Sequence, residues 1–181
     1  MTHLSQAIFK INLKQLLFAT LMGALAFTVR NAGLYILIYP PFRFDPRWVF
    51  SLLAACWTGP IGGLIAGTLA AMKLPYPLID LAAIPAHFVV GLAAKWLVSQ
   101  KKTSLYACFV WPLLGVPLYW VTTFIVSPAS ATIVLIPVLA FIGLSSTLLA
   151  FVVGLAVEKR ANALLVFLNV PKSNDFNVKH E

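Results

Sequence analysis

The chain has 181 residues, 61% of them hydrophobic and only 10% charged, with a mean hydropathy of +0.93. A soluble domain carries about 25% charged residues, so an ordinary water-soluble fold is excluded. The net charge of +8 does not signal nucleic acid. The basic residues stand at the ends of apolar runs, where they set topology and meet anionic headgroups, and no basic run is interleaved with aromatics.

The chain reads as an all-α integral membrane protein, a bundle of about six transmembrane helices. The expected segments are 13–29, 48–57, 61–72, 78–98, 105–126 and 131–157. Arg30 and Asn31 follow the first run without a small-residue cleavage site, so it reads as a helix that stays rather than a signal peptide. Residues 30–47 read as a loop with apolar content of its own. Thr58-Gly59-Pro60 makes a tight turn between the second and third segments. Both are short against a bilayer core of about 30 Å, which needs roughly 20 apolar residues per helix. They either cross or form a re-entrant pair. Residues 1–160 then form one membrane domain, and 161–181 a cytoplasmic tail whose first part lies along the membrane surface.

An even number of crossings puts both termini on one side. That side holds Lys10, Lys14, Lys95, Lys101, Lys102, Lys159, Arg160, Lys172 and Lys179; the other holds Arg30, Arg43, Arg47 and Lys73. The excess places both termini in the cytoplasm. Cys56 and Cys108 lack CxxC spacing and read as packing residues. Gly59, Gly63, Gly67 and Ala71 recur every four residues, a small-residue stripe that lets a neighbouring helix approach. Ala19-xxx-Gly23, flanked by Thr20-xxx-Ala24, is a weaker stripe, suited to internal packing or to a partner protein.

Ionisable groups inside a span are costly, and so are functional candidates. Asp80 and His87 lie on nearly the same face of the fourth segment, His87 about 10 Å deeper. Each is either a cavity residue or bland: a helix-start charge for Asp80, a histidine satisfied by a backbone carbonyl for His87. The outer loops add Arg30, Asn31, Tyr39, Arg43, Arg47, Lys73 and Tyr76, facing the acids Asp45 and Asp80. The basic excess there fits either an anionic group on a captured ligand or plain pairing of Asp45 with Arg43 or Arg47. Tyr119, Trp120 and Trp57 suit either a flat ligand or an interfacial belt. Catalytic motifs, metal spacings and a nucleotide site are missing. The expectation is therefore a non-enzyme without cofactor or metal. A membrane scaffold and an enzyme using Asp80 and His87 stand as alternatives.

The run LLFATLMGALAF from Leu16, the stretch SLLAACWTGPIGGLIAGTLAAM from Ser51, and six segments in under 200 residues with basic cytoplasmic caps together resemble the substrate-binding S components of energy-coupling factor (ECF) transporters. The resemblance covers roughly residues 13–160. It implies a cell-membrane subunit of a bacterium or archaeon that captures a vitamin-like small molecule, anionic or aromatic, from outside. It further implies partners: a transmembrane coupling protein and two ATPases. Docking would use the first helix, at positions Ala19, Thr20, Gly23 and Ala24. The substrate would sit beneath the outer loops, near Arg30, Asn31, Tyr39, Arg43, Arg47, Lys73, Tyr76, Asp80, His87 and Trp120.

Overall fold

A computed structural model describes residues 9–39, 42–72, 78–126, 128, 135–160 and 162–168. Seven helices account for most of them: α1 (Leu13–Asn31), α2 (Arg47–Thr58), α3 (Pro60–Ala71), α4 (Ala83–Ser99), α5 (Val110–Val126), α6 (Leu135–Arg160) and α7 (Asn162–Leu168). Short 3₁₀ turns over Leu78–Ala82 and Ser104–Phe109 lead into α4 and α5. Where the sequence reads as a plain loop after α1, the chain forms a small antiparallel hairpin, β1 (Ile36–Tyr39) and β2 (Phe42–Phe44).

Four helical stretches are long and apolar enough to cross a membrane: Leu13–Asn31, Asp80–Ser99, Ser104–Val126 and Leu135–Arg160. Their packing is inverted relative to a soluble bundle. The buried positions of α6 are Gly143, Ser146, Thr147, Ala150 and Gly154, while Phe141, Leu144, Leu148 and Val152 stand about half exposed. On α1 the buried residues are Gln15, Ala19, Gly23 and Ala26, and Leu13, Leu17, Leu21 and Leu25 face out. Water would penalise such a surface by roughly 25 cal/mol per Å², whereas lipid does not, and small residues inside let helices close in lipid. The chain is a membrane protein on this distribution as well as on span length.

Consecutive helices α1 to α6 alternate in direction. Arg30 at the end of α1, Arg47 at the start of α2, Ala70 at the end of α3 and Asp80 before α4 meet at one end of the bundle. At the other end the Gly59 turn lies against Lys95, and Gly154 against Leu105. Helices α2 and α3 have 12 residues each, about 18 Å at helical rise, less than a straight crossing of a bilayer core of about 30 Å. Nearly every residue of α2 is buried.

The glycine stripe is the seam between that hairpin and α4. Gly59 turns the chain at φ +83°, a conformation that favours glycine. A Cβ on Gly63 would strike the carbonyl oxygen of His87, and one on Gly67 would sit 2.9 Å from His87 Cβ. From α4 the approach is returned at Gly91, where a Cβ would lie 2.6 Å from Pro60 Cα. Both cysteines are buried, as expected of packing residues, with Sγ atoms 3.3 Å apart between α2 and the turn before α5.

The first part of the expected tail is built into the bundle. Helix α7 folds back on α1: Gln15 Nε2 donates to the Leu168 carbonyl at 3.0 Å, Leu168 is fully buried, and Lys14 Nζ lies 4.6 Å over the Phe167 ring. The start of α1 and the end of α6 therefore share one face. An Asn12 and Gln15 capping box starts α1, each side chain bonding the other's backbone N–H.

Candidate functional site

Four helix ends converge on a ring of charges. Asp45 precedes α2, and its Oδ1 accepts from the backbone N–H of Arg47 at 3.1 Å, fixing the helix start. Arg47 Nε lies 2.9 Å from Asp45 Oδ2, and Arg47 Nη2 donates to Asp80 Oδ1 at 2.9 Å. Arg30, in the last turn of α1, bonds Asp80 through Nη2 and reaches Asp45 Oδ2 from Nη1 at 3.4 Å. Arg47 Nη1 also donates to the Ala70 carbonyl at 3.0 Å, satisfying an acceptor that the end of α3 leaves open. Tyr119 O–H donates to Asp80 Oδ1 at 3.0 Å. Two cations and two anions close the ring with no net charge.

An aromatic wall stands beside it. Trp48 packs on Trp111 with centroids 5.1 Å apart, and Tyr119 meets both edge-on at 6.0 and 6.4 Å. The Arg47 guanidinium lies 3.9 Å over the Trp48 ring, a cation–π contact. Behind the wall, His87 is fully buried, its ring 4.4 Å from that of Trp111. The Ala83 carbonyl can only accept, so His87 Nδ1 carries a hydrogen and donates it at 2.8 Å. The Ser51 hydroxyl lies 2.7 Å from Nε2.

Ring and wall enclose a cavity of about 290 Å³, at the lower end of small-molecule sites. Arg30, Asp45 and Arg47 form its polar side. Trp48, Trp111 and Tyr119 give the aromatic side, Val116, Leu139 and Ile142 the aliphatic one, and Gly33, Leu34 and Tyr35 border it after α1. Gly115 and Gly143 widen it by having no side chain. Among the described residues, no three His, Cys, Asp or Glu side chains are grouped to hold a metal ion.

Of the residues expected at a site, Arg30 and Arg47 line the cavity. Asp80 lies directly behind them, holding both. His87 sits one layer deeper, with the backbone-carbonyl partner of its bland reading. Asn31 is displaced: it is exposed and bonds the carbonyls of Phe27 and Met72. Trp120 is displaced too, stacked on Phe124 at 5.9 Å, because neighbouring helix positions diverge by about 100° and Tyr119 takes the inward place. Lys73 and Tyr76 lie outside the described residues, as do the side chains of Tyr39 and Arg43. Of the two expected pairings of Asp45, that with Arg47 is present, and Arg30 joins it.

Trp111 is the main residue the sequence reading omits. A Trp within an apolar run, away from the interfacial belt, is the signal that would have found it. On α1, Ala19 is fully buried and a Cβ on Gly23 would lie 3.0 Å from Ala66 Cα. The expected docking set is therefore split: Ala19 and Gly23 pack inside, and only Thr20 and Ala24 stay exposed.

Comparison with family models, with curated proteins and with solved structures returns no match to the chain.

Proposed function

We propose that this chain is the substrate-capture subunit of an ECF-type importer, held in a bacterial or archaeal plasma membrane by six segments with cytoplasmic termini. One observation carries the reading. The cavity at the Arg30–Asp80 end has polar and aromatic walls, and among the described residues the fully buried His87 and the tightly packed α3–α4 glycine seam lie beneath it. A pore needs a polar path to both faces; a capture site needs one mouth. The basic excess at the opposite end supports outward orientation of the cavity. The exposed leucines of α1, with Thr20 and Ala24 between them, offer a face for a coupling protein, which would supply ATP-driven force through two ATPase subunits.

Calorimetric titration of the full-length protein in detergent against vitamins and their precursors tests this. A ligand tighter than about 10 μM, roughly −7 kcal/mol, is expected. Its absence across the panel counts against capture.

A further inference from the structure

Resting on that capture reading, we infer that the ligand is a flat heterocycle without net charge, held at the ring by an edge that both accepts and donates a hydrogen bond, rather than an anion. The basic outer loops alone point the other way, but the arginines that reach the cavity are already neutralised. Arg47 has 4% of its side chain exposed, and its guanidinium is shared among Asp45, Asp80 and the Ala70 carbonyl. Asp80, 7% exposed, is taken by both arginines and Tyr119. Among the described residues, the charges a ligand meets are Arg30, at 15%, and Asp45, at 19%, one of each sign side by side.

Arg30 Nε is buried and has no hydrogen-bond partner among the described residues. Asp45 Oδ1 meets one described donor, the Arg47 N–H, and a carboxylate oxygen has room for two. A carboxylate ligand would satisfy Arg30 while standing against Asp45, and a cation would reverse the conflict. A lactam or amide edge offers C=O to the arginine side and N–H to the aspartate side. The rings of Trp48, Trp111 and Tyr119 suit a planar body attached to that edge.

The test uses the full-length protein and three two-ring probes in calorimetry: quinazolinedione (neutral, lactam-edged), quinaldate (anionic) and methylquinolinium (cationic). Quinazolinedione is expected to bind at least about tenfold tighter than either other probe, ~1.4 kcal/mol. Tighter binding of quinaldate or the cation overturns the inference and leaves capture standing. Failure of all three to bind, with a ligand found in the vitamin panel, also overturns the inference; failure of both sets overturns capture itself. Asp45→Asn adds an independent arm. Removing the anion should raise quinaldate affinity about tenfold relative to quinazolinedione, whereas an unchanged ratio contradicts the role given to Asp45. Arg30→Gln reports the same balance from the other side and should favour the cation.

Discussion

At the residue scale, Asp80 holds the site together without facing its cavity. It stands in the turn before α4, near the positive end of the helix, and receives donors from two arginines and a tyrosine. Breaking a buried pair by removing one partner costs about 3–5 kcal/mol, because the other charge is left uncompensated. Asp80→Asn should therefore lower stability by about that much, read by denaturation in detergent, while a loss under about 1 kcal/mol would show that water or lipid headgroups replace the carboxylate. The ring itself was not legible in the sequence. Its members lie 15, 33 and 50 positions apart, and only tertiary packing brings them together. Proximity along one helix misled in the same way. Asp80 and His87 share a face, yet Arg47 and Trp48 of α2 divide that face into two levels. A pair of substitutions separates the aromatic wall from its neighbour. Trp111→Ala should weaken binding of the best ligand about tenfold or more, ~1.4 kcal/mol, and Trp120→Ala should leave it within about twofold.

The elements were more legible, because periodicity and apolar run length are local properties. Over the described residues helices occupy all six runs, four of them within stretches long and apolar enough to cross a membrane, and the Thr58–Pro60 turn and the small-residue stripe sit where the sequence implies. The exceptions are elements whose stability comes from partners. The β1–β2 hairpin forms between α1 and α2, and α7 is held on α1 through Gln15. Stripe partners likewise cannot be read from spacing. Both small-residue stripes have the same form, but that of α3 meets α4, while that of α1 is half inward and half outward. Gly91→Ala would press a methyl group onto the backbone of the α2–α3 turn, at about 1–3 kcal/mol for overpacking. The double substitution Thr20→Leu with Ala24→Leu, on an exposed face, should leave thermal stability unchanged and abolish co-purification with a coupling protein. Retained co-purification would move docking to another face.

For the whole molecule, the arrangement is polarised. Among the described residues the paired charges gather near the α1–α2 junction beside the Trp48–Trp111–Tyr119 wall, small residues fill the middle, and large apolar side chains cover the perimeter. The proposed capture role sets the site outward and the chain ends in the cytoplasm. In a Cys56→Ser, Cys108→Ser background, a cysteine placed at Leu34 should react with a membrane-impermeant maleimide added outside intact cells. One placed at Lys101 or Lys159 should react only after permeabilisation, and the reverse pattern would invert the bundle. Capture of a small molecule by the cavity at the charged ring is tested most directly by what the protein carries out of its own cell. Mass spectrometry of small molecules released from the purified protein should be compared with the same measurement on Val116→Trp, which fills the cavity from α5. One flat, heterocyclic species should be enriched with the unaltered protein and lost from the folded variant; equal retention by both, or no retained species, would rule out capture at this cavity.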